Sequence, residues 1–191
     1  MPNEFQKKVK KFMDKNNMNN QKEIENDLSP LLPVTSSDTN EIQDFFIYTW
    51  KEFFDVRTKE EAFLKRKDLQ NPENFYKSHN GNFWCIRKDN KIIATIAVHE
   101  ILFQWEKVGF LRRFFIDKNY RNKGLGSKML KFIENYSYEK KWKYLMFGVD
   151  ISMERNKWFY NRNGYEEFIE NIPQELIDDN DTWYLRKRIY E

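Results

Sequence analysis

Cysteine and histidine are nearly missing from this chain: Cys85 stands alone, and His79 and His99 are the only histidines among 191 residues. One thiol excludes an intrachain disulfide and a thiolate zinc site, and two isolated histidines do not suggest a metal centre, so no metal is expected. Cys85 falls in the strand candidate Phe83 to Arg87, where a small buried apolar residue is the expected role rather than a nucleophile. Long apolar runs are absent too. No stretch approaches the roughly 20 residues of a membrane span, and the first residues lack the apolar stretch and cleavage site of a signal peptide. A cytoplasmic protein without membrane contact is therefore expected. Nor does one charge dominate, since 33 Lys and Arg stand against 30 Asp and Glu for a net charge of +3. General nucleic-acid binding is not implied by so small a surplus.

Aromatic residues are what the chain has in quantity, at 17 % of the sequence. They predict a core built from Phe, Trp and Tyr rather than from many small aliphatics. The length suits one domain with a substantial core. Residues 1–30 are rich in Asn, Lys and Glu and read as a polar extension, in which Phe5, Val9, Phe12 and Met13 fall at the spacing of a short amphipathic helix. Residues 31–191 form the domain, as a monomer or a homodimer.

Within the domain, Leu31 to Val34 reads as a short strand leading to a helix capped by Ser37 or Asp38, whose apolar face is Ile42, Phe45, Phe46, Thr49, Trp50 and Phe53. A second helix is predicted over 59–69, ending before Pro72. Residues 82–87 and 91–100 read as an antiparallel hairpin around Lys88-Asp89-Asn90. A further strand, 107–116, is joined to it through a loop over 101–106. Leu125, Met129, Phe132, Ile133 and Tyr136 mark one face of the next helix. A strand over 143–149, a helix over 154–163 ended by Gly164, and strands over 165–169 and 182–188 complete the order β-α-α-β-β-β-α-β-α-β-β.

The most telling segment lies between the strand Leu111 to Ile116 and the helix that begins near Gly124: Arg121-Asn122-Lys123-Gly124-Leu125-Gly126-Ser127. Two glycines at a strand-to-helix turn expose backbone N–H groups at the positive end of a helix, where a phosphate is held well. Gly124 and Gly126 permit close approach of an anion to the backbone, and Arg121 and Lys123 add charge. A pyrophosphate is the expected ligand. The run is not a P-loop, which needs Gly-x-x-x-x-Gly-Lys-Ser/Thr, nor a dinucleotide fingerprint, which needs a third Gly and a later acidic residue. Taken alone, the same residues also suit a basic turn that caps a surface helix.

This run resembles the acyl-CoA-binding motif of the GNAT N-acetyltransferases, Arg/Gln-x-x-Gly-x-Gly/Ala after a strand with an aliphatic residue near its end, here Ile116. A second stretch, Arg155 to Tyr165, is similar to the family's Ala-x-x-(aromatic or Leu)-Tyr-x-x-x-Gly-Phe pattern, with Tyr160 on the Tyr and Gly164-Tyr165 on the Gly-Phe. The element order agrees over roughly residues 31–188. The resemblance implies an α/β (α+β) fold with a mixed, mostly antiparallel sheet of about six to seven strands flanked by helices. The chain departs from the pattern at Met153, where the family often has an Asn that contacts the pantetheine, at Asn156, where a small Ala is common, and at Ala94, often Gly.

The implied reaction is transfer of the acetyl group of acetyl-CoA to an amine on a small molecule or peptide. The implied cofactor site is Arg121, Asn122, Lys123, Gly124, Leu125, Gly126 and Ser127 for the pyrophosphate and the backbone of Phe114, Phe115 and Ile116 for the pantetheine, with Asn156 as a further contact. In the family the strands here assigned to 107–116 and 143–149 splay apart to admit the cofactor. Tyr160 takes the place of the general acid. The histone acetyltransferase branch carries a basic Glu early on the fourth strand, a position that is Phe110 here, so Glu100, Glu106 and Asp150, or a base acting through water, are the substitutes. Trp84, Phe103, Trp105 and Trp158 are candidates for an aromatic acceptor pocket, with the loop 101–106 and the segment 173–181, including Asp178, Asp179 and Asp181, as its rim. An alternative is a module that binds acyl-CoA without turnover and acts on a protein partner through residues 1–30.

Overall fold

A computed structural model describes residues 30–52, 59–64, 66–151, 154–170, 172 and 182–191. The amphipathic segment of residues 1–29, Phe53, Met153 and the segment 173–181 lie outside the described residues.

Thr35 opens the first helical segment through a reciprocal cap with Asp38, whose carboxylate accepts from the Thr35 N–H at 2.7 Å. A 3₁₀ turn, Ser36–Asp38, then feeds α1, Thr39–Trp50, with Asp38 as its N-cap. Ile42, Phe45, Phe46, Thr49 and Trp50 form its buried face, as their spacing predicts. The helix predicted over 59–69 is instead two pieces, α2 (Lys59–Leu64) and α3 (Lys67–Gln70), followed by α4 (Pro72–Ser78). Asn71 explains the extra helix: its side chain accepts from the Asn74 N–H, and Pro72 takes the first helical position, where a missing N–H costs nothing.

Seven strands form one sheet: β1 (Leu32–Pro33), β2 (Asn82–Lys88), β3 (Lys91–Phe103), β4 (Glu106–Ile116), β5 (Tyr144–Asp150), β6 (Glu166–Glu167) and β7 (Thr182–Arg188). Their order is β1-β2-β3-β4-β5-β7-β6, and only β4 and β5 run parallel. The expected loop over 101–106 is strand almost throughout, because Gln104 and Trp105 make a two-residue hairpin turn, both at positive φ. The expected strand over 165–169 shortens to Glu166–Glu167.

Alternation along β2 and β3 divides the core into two layers. Phe83, Cys85, Ile92 and Ala97 face α1–α4 and pack with Ile42, Phe46, Leu69 and Tyr76. Trp84, Ile86, Ile96 and Val98 face α5 (Leu125–Glu139) and meet Met129, Leu130 and Ile133. α6 (Glu154–Arg162) lies in that second layer through Phe159 and Tyr160. A smaller cluster, Phe103, Val108, Phe110, Met146, Phe168 and Tyr184, covers the opposite face of the sheet near its centre.

Candidate active site

β4 and β5 touch and then separate. Their parallel pairing covers only Gly109 with Leu145 and Phe110 with Met146. Beyond this point Leu111–Ile116 and Phe147–Asp150 run on without pairing to each other, and a wedge opens between them. Backbone groups there are available to an inserted ligand, as at the exposed edge of a sheet.

A bulge in β4 accompanies the separation. Thr95 pairs with Phe115 and Ala97 with Arg112, so two steps on β3 oppose three on β4. The extra residue turns Arg113 to the α1–α4 face beside Arg112, which regular alternation already places there, and sets Arg113 at φ +54°. Its carbonyl, out of register, accepts from the Thr95 hydroxyl at 2.9 Å. Its guanidinium donates to both Asp68 oxygens, Nε at 2.6 Å and Nη2 at 2.8 Å, and the Tyr76 hydroxyl donates to Asp68 at 2.8 Å. Burial would raise the Asp68 carboxyl, but the Arg113 hydrogen bonds and charge outweigh it and hold the group down at about 2.

Tyr160 stands in the wedge. Its ring centroid lies 4.3 Å from that of Phe147 on β5 and 6.4 Å from that of Phe114 on β4, so both diverging strands contact it. The residue is 9 % exposed, and no protein group among the described residues hydrogen-bonds its hydroxyl. Burial pushes the phenol well above its ordinary value. It is therefore a protonated hydroxyl at neutral pH, enclosed by aromatic rings.

At the far end of β4 the glycine turn has the geometry of an anion site. Gly124 is the N-cap of α5 in the left-handed region, φ +81°, and Asn122 is left-handed too, at φ +60°. The Lys128 N–H reaches back to the Gly124 carbonyl at 3.2 Å as the first helical bond, so the amides of Leu125, Gly126 and Ser127 precede it in the first turn. A Cβ on Gly126 would lie 3.4 Å from the Phe159 ring and 3.5 Å from Ile116, between α6 and the end of β4. Arg121 is turned back toward the protein: its Nε donates to the Ile116 carbonyl at 2.7 Å and its Nη1 to Glu52 at 2.8 Å. Lys123 donates to the Asn119 carbonyl at 2.9 Å. Both cations shape the turn in this arrangement as well as charging it.

The other sequence candidates are spread more widely. Asp150 ends β5 at the open side of the wedge, paired in register with Thr182. Glu100 lies elsewhere, opposite Gly109 where β4 and β5 still touch. Its carboxylate accepts from Trp142 Nε1 at 2.9 Å and Asn80 Nδ2 at 2.7 Å, with Lys107 Nζ at 3.2 Å. Burial opposes these donors, yet together they hold Glu100 below its usual value. Glu106 is paired with Lys143 at 2.6 Å at the hairpin end. Asn156 is exposed on α6. Trp84 and Phe103 are core residues rather than pocket walls, while Trp105 is 97 % exposed at the hairpin tip. Trp158 is 63 % exposed on α6, under the Arg162 guanidinium.

Sequence reasoning missed the Asp68–Arg113 pair and His99. Arg112-Arg113 in the middle of an otherwise apolar strand was the available signal for a bulge. His99, 5 % exposed on β3 across from Phe110, has a buried Nδ1 without a hydrogen-bond partner among the described residues. Burial, then the charge of Arg112 and the neighbouring His79, pushes it down to about 4.

The family profile described as Acetyltransferase (GNAT) family matches residues 42–165. The chain belongs to the GNAT acetyltransferase family. No curated protein matches the sequence. Among solved structures, a GNAT-family acetyltransferase from Staphylococcus aureus superposes with a TM-score of 0.71 at 21 % identity, covering 85 % of this chain and 99 % of that one. An acetyltransferase from Streptococcus agalactiae gives 0.70 at 18 % identity, over 85 % and 98 % of the two chains. The PaiA N-acetyltransferase from Thermoplasma acidophilum, solved with coenzyme A, gives 0.63 at 15 % identity, over 84 % and 98 %. The shared architecture agrees with the seven-stranded sheet of this GNAT chain.

Proposed function

We propose that this GNAT protein transfers the acetyl group of acetyl-CoA to an amine by direct attack, with Tyr160 as the general acid. The observation that carries the reading is the position of Tyr160 between Phe114 and Phe147, at the opening of β4 and β5. The wedge leads from that phenol toward the glycine turn, so one extended ligand lies along both.

In this reading the pyrophosphate sits on the amides of Asn122 to Ser127, and the pantetheine pairs with the backbone of Phe114 to Ile116 as an added strand does. The amine nitrogen attacks the thioester carbonyl carbon. As the C–S bond breaks, its electron pair goes to sulfur, which takes the proton of Tyr160 Oη. Enclosure raises the proton affinity of a buried thiolate just as it does that of the phenol, so the transfer does not have to work against the Tyr160 shift. The attacking nitrogen loses its proton to water or to Asp150, and the phenolate recovers one from the same source. An alkyl ammonium, with an ordinary pKa of about 10.4, must shed a proton before it attacks.

Isothermal titration of the chain with acetyl-CoA, beside thiol release on polyamines, amino acids, aminoglycosides and N-terminal peptides, tests the reading. Binding with turnover on one class is the expected result. Absence of binding overturns it.

A further inference from the structure

We infer that Asp68 and Thr95 are positioning residues for the cofactor strand, acting through the Arg113 bulge to hold β4 away from β5. The inference rests on the proposed acetyl-CoA site and adds to it a device outside the motifs that define that site. Arg113 carries a side chain at φ +54°, a conformation that L-residues adopt at a cost and keep only when their surroundings impose it. Here the imposition comes from two sides. Asp68 on α3 takes both ends of the guanidinium fork, and Thr95 on β3 takes the carbonyl that the extra residue has put out of register.

The partners are themselves fixed. Asp68 receives the Tyr76 hydroxyl from α4, and Arg113 lies 6.0 Å over the Phe46 ring of α1. Phe115, two residues on, packs edge-on against Phe46 at 5.3 Å. A relaxed Arg113 would let the surplus residue slip, and Leu111–Ile116 would be free to continue its pairing with β5. That closes the wedge in which the pantetheine lies. The clamp thus ties the α1–α4 layer to the cofactor side of the sheet.

The test is titration of the full chain with CoA for the unaltered protein, Asp68→Asn, Thr95→Val and a control, Ile42→Ala, which removes buried packing from the same layer. Asp68→Asn is expected to weaken CoA binding roughly tenfold or more and Thr95→Val about threefold or more, while Ile42→Ala loses thermal stability but keeps its affinity. If Asp68→Asn fails to fold, Thr95→Val, nearly equal in shape, carries the test alone. Unchanged affinity in the clamp variants, or an equal loss in Ile42→Ala, overturns the inference. Absence of CoA binding by the unaltered chain overturns the acetyl-CoA reading instead, so the two failures are told apart.

Discussion

The Tyr160 ring packs 4.3 Å from Phe147, the first β5 residue after the last pair that β5 makes with β4. Contact with Phe147 holds the phenol at the mouth of the wedge, and the hydroxyl has no protein acceptor among the described residues. Tyr160→Phe removes one oxygen and keeps the ring packing. Turnover should fall by roughly 10²–10⁴-fold, the usual worth of a positioned general acid, with acetyl-CoA affinity nearly intact. Thiol release and titration on the same preparation measure both. Unchanged turnover removes Tyr160 from the mechanism.

Gly126 separates stability from binding. It lies in α5 at an ordinary φ, and a Cβ there meets Phe159 and Ile116 at normal contact distance. Gly126→Ala should therefore leave stability unchanged or raise it by about 0.5–1 kcal/mol, the gain of Ala over Gly in a helix. The family pattern takes Gly or Ala at this position, so Gly126→Ala should keep its CoA affinity, whereas the branched side chain of Gly126→Val fills the end of the groove between β4 and α6 and should weaken binding roughly tenfold or more. A higher thermal midpoint with unchanged binding for Gly126→Ala, and weaker binding for Gly126→Val, is the expected set of results. Unweakened binding by Gly126→Val would move the pyrophosphate away from this turn.

Much of the fold was legible because its determinants are local. The glycine turn declares itself in one short run, and hydrophobic period alone gives β2, β3, β5 and α5 to within a few residues. The break of the 59–69 helix and the added α4 are not evident locally because Asn71-Pro72 marks the end of one helix and the start of another alike. The bulge was missed for another reason. Its cause is contact between β4, β3 and α3, and Asp68 is 45 residues from Arg113 in sequence, so no local pattern joins them. Glu100 is the converse case, a carboxylate at a suggestive strand position whose contacts with Trp142 and Asn80 come from elsewhere in the fold.

His99 makes stability depend on pH. Phe75, Tyr76, His79 and Phe110 surround its ring, and Arg112, Arg113 and Asp68 are the charged groups nearby. Its folded value, about 4, lies below the ordinary 6.5, so the unfolded chain binds the proton first as pH falls. Stability is full above about 6.5 and declines from there to about 4, by up to about 3 kcal/mol at roughly 1.4 kcal/mol per unit. Denaturant unfolding at pH 7 and pH 5 should differ by about 2 kcal/mol, and His99→Phe should flatten that slope. Equal stability of the unaltered protein at both pH values refutes the assignment. Asp68, also depressed, adds a second loss below its unfolded value of 3.8 as pH falls toward about 2.

Asp150, Glu100 and Glu106 are equal candidates for the base in the sequence, and the fold predicts opposite phenotypes for the first two. Glu100 accepts from Trp142, Asn80 and Lys107, so Glu100→Gln weakens charge-assisted hydrogen bonds and should cost roughly 1–3 kcal/mol while leaving turnover per folded molecule unchanged. Asp150 ends β5 beyond Phe147, on the side where the wedge opens. Asp150→Asn should lower kcat roughly tenfold or more, with its largest effect at low pH, where fewer amines arrive neutral. Thermal midpoints and pH–rate profiles of the two variants decide the matter. A loss of kcat in Glu100→Gln with full activity in Asp150→Asn would reverse the roles, and full activity in both would leave water to receive the proton, with Tyr160 as the only protein group in the transfer.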